Sequence, residues 1–315
     1  MTQESAIIIG TWSWGSGGFA GGDTVFGHQL EAQDLTPVID LAMTNGINTF
    51  DTAYAYANGQ SESILGELLA AYPRDSFRIS TKFTPQLAQL ETSNPVITML
   101  EGSLKRMKIE VVDLYWIHNS SDIDKWTPYL VDAVKTKKIK SIGVSNHNLE
   151  QVKRVVEILK PHGIRLSAVQ NHFSLLYRQS IDDGLLDYCQ ENGIDFYSYM
   201  VLEQGLLSGK YDEQHLLPAG SRRGERFNHF FPQLRHLLEQ LKDLATKYHV
   251  TSAQIAIAWA MAKGTSPIIG ITSKEQVQDL IAVKQLQLTP IELQQLEELA
   301  IQSGVDTRGG WEGEA

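Results

Sequence analysis

The chain has 315 residues, 42% of them hydrophobic and 20% charged, which is the make-up of a folding globular protein and excludes a disordered or fibrous one. A net charge of -10 argues against nucleic acid or an anionic membrane surface as the main partner. A single cysteine, Cys189, excludes an intrachain disulfide framework and a cysteine-rich metal site, and it suits a reducing, cytoplasmic location.

From the start of the chain, Met1 to Gly10 carries only the short apolar run Ala6 to Ile9, with no basic flank, so no signal peptide is expected. No run is long enough to span a membrane. Short β-branched runs then recur at Ile47 to Phe50, Arg78 to Thr81, Val111 to Ile117, Ile139 to Val144, Ala168 to Gln170, Ile194 to Tyr199 and Ser266 to Ile269, eight with the first. Helical periodicity fills the gaps, over Leu35 to Thr44, Ser61 to Ala71, Pro95 to Met107, Thr127 to Thr136, Leu149 to Lys160, Ile181 to Glu191 and Ser252 to Ala262. Asn45-Gly46 and Asn192-Gly193 close two of these helices just before the next strand, as a left-handed C-cap would. Strict alternation predicts an α/β fold of the (β/α)8 TIM-barrel kind, with residues 1–315 as one domain. Two segments break the rhythm. Gly205 to Pro232, with Arg222-Arg223 in it, reads as a long functional loop after the seventh strand, and Thr289 to Ile301 reads as an extra C-terminal helix before a glycine-rich tail.

Such barrels build their sites at the carboxyl ends of the strands. Asp51, Lys82 and His118 stand directly after the second, third and fourth apolar runs, so adjacent rims carry an acid, an amine and an imidazole. Tyr56 lies five residues past Asp51 and can fold back over them. Each residue alone is more often structural; their joint placement is what points to chemistry. Reduction of a carbonyl by hydride needs a proton delivered to the oxygen as charge develops there. Tyr56 is the candidate donor. Lys82 is expected to lower the phenol's pKa, Asp51 to hold the ammonium, and a neutral His118 to orient the carbonyl. The other histidines, His28, His147, His162, His172, His215, His229, His236 and His249, lack that context and are assigned structural places. None of their spacings is a zinc pattern, so no metal is expected, and a metal-dependent barrel hydrolase finds no ligands here.

These residues resemble the aldo-keto reductases over nearly the whole chain. The motifs that carry the resemblance are Gly10-Thr11-Trp12, the loop from Asp51 to Glu62, Ser80-Thr81-Lys82, Asp113 to His118, Ile142 to Asn146, Val169-Gln170, and Gln204 to Lys210. It implies that Asp51, Tyr56, Lys82 and His118 form a catalytic tetrad. Ser145, Asn146 and Gln170 would hold a nicotinamide carboxamide, and Tyr199 would stack on its ring. Gly10, Thr11 and Trp12 would line the cofactor's path. Met200 and Val201 would be cofactor-binding, and the segment Leu202 to Lys210, with Gln204, Gly205, Leu206, Ser208 and Gly209, would wrap the pyrophosphate. At the adenosine end stand Gly270, Thr272, Ser273, Lys274, Gln276 and Asp279. None of positions 270, 272 and 276 is basic, although the family commonly places a cation there; NADPH is still the expected cofactor, with NADH as the alternative.

Ala57 stands where glycine is usual, Met200-Val201 where Ser-Pro is common, and Asn119 where an aromatic residue is frequent, which predicts a roomier, more polar pocket beside His118. Trp12, Trp14, Tyr54 and Phe83 are taken as aromatic pocket walls with His118 and Asn119, and Trp311 as a lid. Cys189 is expected to be a small buried apolar residue. The expected activity is reduction of aldehydes or ketones, small-molecule carbonyl compounds. The rival is a slowly turning-over nucleotide sensor like the potassium-channel β-subunits.

Overall fold

The computed structural model describes residues 6–310. Eight parallel strands close into a barrel in sequence order: β1 (Ile8–Gly10), β2 (Thr49–Asp51), β3 (Arg78–Phe83), β4 (Val112–Ile117), β5 (Ile139–Ser145), β6 (Ala168–His172), β7 (Asp195–Tyr199) and β8 (Ser266–Gly270), with β8 pairing back onto β1. All eight runs expected from the sequence are strands, and the (β/α)8 architecture holds.

Side chains alternate along each strand, and that parity sorts the core into two layers. On β4, Leu114 and Trp116 point into the barrel, where they pack with Ala168 and Tyr197, while Tyr115 and Ile117 point out into the large cluster between strands and helices. Trp116 has room only because its neighbour on β5 is Gly143: a Cβ there would come within 2.3 Å of the indole ring.

The helices begin and end where their caps dictate. Asn94 accepts from the Ile97 N–H ahead of Pro95, and Asn148, Thr251, Ser273 and Thr289 each form capping boxes with the residue three further on. Gly46 (φ 70°) and Gly193 (φ 59°) supply the left-handed turns before β2 and β7. Three expectations are corrected. The segment Ile181 to Glu191 is not one helix, because Gly184 at φ 79° divides it into Gln179–Asp182 and Leu185–Asn192. The long segment after β7 is not all loop, since Ser221 caps a helix over Arg222–Phe227. It then runs straight into an eighteen-residue helix, Phe231–Tyr248, that the reading of the sequence missed. The expected C-terminal helix is there as Pro290–Ser303, packed on that helix.

Candidate active site

The carboxyl ends of β2, β3 and β4 bring three of the four expected residues together, and the turn after β2 supplies the fourth. Lys82 is inward on β3 and fully buried. Its ammonium donates to Asp51 Oδ2 at 2.5 Å, to the Thr52 carbonyl at 2.8 Å and to the Tyr56 hydroxyl at 3.1 Å, so all three of its protons have acceptors. Asp51 Oδ1 accepts from the Ser80 hydroxyl at 2.5 Å and from Trp116 Nε1 and Gln170 Nε2, each at 3.1 Å. The loop that carries Tyr56 is anchored by buried Glu62, which accepts from Thr81 and Arg106. Its turn passes through Ala57 (φ 48°) and Asn58 (φ 53°), left-handed positions where a Cβ is unfavourable. The Tyr56 ring meets His118 edge to face at 5.9 Å and stacks with Trp12 at 6.1 Å.

Burial sets the protonation states. Burial drives His118 well below the ordinary histidine range and the Lys82 charge pushes the same way, so the ring is neutral near pH 7. Thr84 Oγ1 lies 2.8 Å from His118 Nδ1; when that hydroxyl donates, the ring proton sits on Nε2. For Lys82, burial is the largest single influence and would lower the pKa, but the charges and hydrogen bonds of Asp51 and Tyr56 together outweigh it and the net shift is upward. One expectation reverses. Lys82 does pull the Tyr56 phenol down, but burial is the larger effect and Asp51 adds to it, so the phenol is raised above its ordinary value.

Tyr56, His118 and Asp51 line a cavity of about 1370 Å³ across the barrel mouth. Gly10, Thr11, Trp12, Ser145, Asn146, Gln170 and Tyr199 line it near the tyrosine. Met200, Val201, Leu202, Gln204, Gly205, Ser208, Gly209 and Lys210 continue the wall past β7, and Gly270, Thr272, Gln276 and Asp279 close its far end. The polar groups at the near end bond one another: the Tyr199 hydroxyl donates to Asn146 Oδ1 at 2.5 Å, and Asn146 Nδ2 to the His118 carbonyl at 2.8 Å. Three expected cofactor residues stay outside. Leu206 is buried in the core, Ser273 spends its hydroxyl capping the helix Lys274–Val283, and Lys274 is exposed on that helix away from the cavity.

The expected aromatic walls are mostly wrong. Trp14 is fully buried, its Nε1 donating to the Ile271 carbonyl. Phe83 follows inward Lys82 on the same strand, so it points outward and packs on Trp126 at 4.9 Å. Tyr54 lies under the Arg106 guanidinium. None of the three lines the cavity, and Trp311 lies outside the described residues. Trp12 does line the cavity, with Phe26 edge-on to it at 5.3 Å; Gln86 and Asn119, which bond each other through both amides, line it as well.

Sequence reasoning also missed Ser13, His28 and Arg223, all of which line the cavity. His28 had been given a structural place; its pKa is lowered by burial and by the Arg223 charge. Arg223 comes from the Arg222-Arg223 pair noted in the long segment, and its guanidinium sits over Phe26 and Tyr211 while donating to the Gln204 carbonyl. Buried Ser13 Oγ and Arg223 Nε have no hydrogen-bond partner. Buried polar atoms are normally satisfied, so two orphans on the wall of one long groove fit a polar, anionic ligand such as a dinucleotide. Among the described residues no three His, Cys, Asp or Glu side chains are placed to share a metal ion, and no helix is long and apolar enough to cross a membrane.

An eight-stranded parallel barrel with a buried Asp-Lys-Tyr chain opening on such a groove is the architecture of a nicotinamide-dependent oxidoreductase class. The chain belongs to the aldo/keto reductase family, whose profile matches residues 6–301. It is 33% identical to a chloroplastic pyridoxal reductase of Arabidopsis thaliana, over 95% of this chain and 84% of that protein. It is 28% identical to an NADH-specific methylglyoxal reductase of Escherichia coli over 94% of both chains, and 30% identical to an L-glyceraldehyde 3-phosphate reductase of that organism over 87% of this chain and 85% of the other. The fold is also that of a glycerol dehydrogenase from Gluconobacter oxydans, with a TM-score of 0.77 at 24% identity over 93% of this chain and 90% of the other.

Proposed function

We propose that the chain reduces aldehyde or ketone carbonyls to alcohols with NAD(P)H, and that Tyr56 delivers the proton. The observation that carries this reading is the Tyr56 hydroxyl, 3.1 Å from a buried ammonium and facing the groove together with His118. The nicotinamide, when bound, supplies the hydride that becomes the new C–H bond. Tyr56 O–H donates to the carbonyl oxygen and transfers its proton as negative charge builds there, giving the alcohol. Because burial keeps the phenol protonated, it enters the reaction as an acid; Lys82, fixed by Asp51, stabilises the phenolate left behind until solvent returns the proton. Neutral His118 offers a hydrogen bond that turns the carbonyl toward Tyr56.

Ser145, Asn146 and Gln170 would hold the carboxamide, Tyr199 the ring, and Ser13, Arg223 and the wall from Met200 to Lys210 the pyrophosphate. Lys210, where that wall ends, reaches Asp279 with its charge; with Lys242 on the same lining it sets two cations against the one carboxylate that would favour a free 2'-hydroxyl, which makes NADPH the preferred cofactor and NADH the one to compare it with. The relatives are named for pyridoxal, methylglyoxal and L-glyceraldehyde 3-phosphate, all polar aldehydes, which suits a pocket lined by Trp12 and Phe26 together with the amides of Gln86 and Asn119. The intact buried chain favours turnover over a slow nucleotide sensor. Purified protein mixed with either cofactor and a panel of these aldehydes should oxidise the nicotinamide, and Tyr56→Phe should slow this at least a hundredfold with cofactor binding retained. Turnover undiminished in Tyr56→Phe sinks the assignment.

A further inference from the structure

One stacked ring away from Tyr199 lies a buried carboxylate that the reaction does not use. Glu203 is fully buried in the turn after β7, in a backbone conformation few residues tolerate. Met200 (φ 61°), Glu203 (φ 48°) and Gln204 (φ 51°) all adopt left-handed φ within five residues, which persists only where surrounding contacts enforce it. Glu203 Oε1 is the contact point. It lies 2.8 Å from His172 Nε2 and 3.0 Å from Thr307 Oγ1, and it also accepts from the Ser174 hydroxyl. A carboxylate only accepts, so all three partners must donate, and the His172 proton is thereby placed on Nε2.

Those three donors reach three different parts of the fold. The His172 ring stacks with Tyr199 at 5.6 Å and with Tyr177 at 4.2 Å. Ser174 Oγ accepts from the backbone N–H groups of Leu176 and Tyr177, which fixes the turn that carries Tyr177. Thr307 belongs to the segment after the last helix, and the Arg226 guanidinium clamps that segment through the Thr307 and Arg308 carbonyls. One oxygen thus ties the rings beneath Tyr199 to the chain's C-terminal segment.

The geometry points to Glu203 as a positioning residue: through His172 it holds the face of Tyr199 against which a nicotinamide ring lies, and through Thr307 it makes that platform depend on the docked C-terminal segment. This rests on the dinucleotide reading of the groove but not on Tyr56 as proton donor. Its effect should therefore fall on the nicotinamide half of the cofactor alone.

The experiment compares NADP+ with 2'-phospho-ADP-ribose, the same ligand without nicotinamide, by quenching of intrinsic tryptophan fluorescence in the full chain; NAD+ and ADP-ribose form a parallel pair. In the wild type the nicotinamide should add affinity. Glu203→Ala should raise the Kd for NADP+ about tenfold while changing that for the fragment less than twofold. Glu203→Gln, whose amide oxygen keeps the acceptor, should restore binding to within about threefold of wild type. Thr307→Val, which deletes one hydroxyl from the network, should raise the NADP+ Kd about fivefold with the fragment unaffected, and it decides the matter if Glu203→Ala does not fold. Equal weakening of both ligands, or no change in either, overturns the role. A wild type that binds neither pair overturns the dinucleotide reading instead, while Tyr56→Phe turnover tests the proton donor separately.

Discussion

Lys82→Met is the most telling single change, because it removes one charge from a pair that has almost no contact with water. The Lys82 side chain is 0% exposed and that of Asp51 3%, so solvent cannot replace the lost partner. Asp51 would keep three donors on Oδ1 and lose the one on Oδ2, while the Thr52 carbonyl and the Tyr56 hydroxyl would each lose a donor. Breaking a buried pair from one side costs about 3–5 kcal/mol. With an unfolding entropy of about 2.1 cal/mol/K per residue, a chain of this length converts that loss into a fall in Tm of roughly 5–8 °C. The double variant Asp51→Asn with Lys82→Met removes both charges, leaves the cavity neutral, and should lose about 3 kcal/mol less than the two single changes added together. Thermal unfolding followed by far-ultraviolet circular dichroism at pH 7 measures all three, and steady-state rates on the same samples should show each variant slowed a hundredfold or more. A Lys82→Met protein that melts within about 1 °C of wild type, or a strictly additive double variant, would refute the electrostatic argument, since no buried pair can be released so cheaply.

Three further changes test the surrounding structure. Burial holds His147 at a pKa of about 4 against an ordinary 6.5. Below pH 6.5 the unfolded chain binds a proton that the folded chain refuses, so this stability is fully present above 6.5 and is lost as pH falls to about 4, a total of about 3 kcal/mol; urea unfolding across that window should show the loss, and His147→Asn should flatten it. His118, lowered for the same reason, acts in the same direction. Gly143→Ala would put a methyl group against the Trp116 ring at 2.3 Å, costing about 1–3 kcal/mol or more and disturbing the indole's bond to Asp51; a folded variant with unchanged Tm and rate would show that the barrel interior yields more than its packing implies. Ala57→Gly should raise stability in urea by about 0.5–1 kcal/mol, because it relieves a Cβ at φ 48° beside Tyr56, and a loss of 1 kcal/mol instead would mean that the methyl group's packing matters more than the strain.

What could be read from the sequence followed from local rules, and what could not depended on where distant segments come to rest. Asp51, Lys82 and His118 were legible because a short apolar run followed by a polar residue marks the end of a barrel strand, and consecutive strands in such a barrel are neighbours. The same parity would have excluded Phe83: Lys82 points inward, so the next side chain must face the helices. Phe231–Tyr248 also announced itself, with buried Leu234, Leu237, Leu241 and Leu244 at helical spacing, but the glycines and prolines before it drew the boundary of the loop too late.

Arg223, His28 and Ser13 are of another kind. The Arg222-Arg223 pair marked the long segment and Ser13 stands just past β1, but neither spacing says where these side chains end up; Arg223 joins the groove when the segment after β7 folds back beside the β1 loop, where Arg222 donates to the Phe19 carbonyl and Arg223 lies over Phe26. The direction of the Tyr56 shift was misjudged for the same reason. A charge five residues or one strand away can be inferred from spacing, but the extent to which a phenol is cut off from water is set by every element packed around it, and here burial exceeds the attraction of the ammonium. For the proposed reaction the consequence is that a tyrosine kept protonated by burial suits giving up its proton during reduction, with the Lys82 charge acting after the transfer, on the phenolate, more than before it on the phenol.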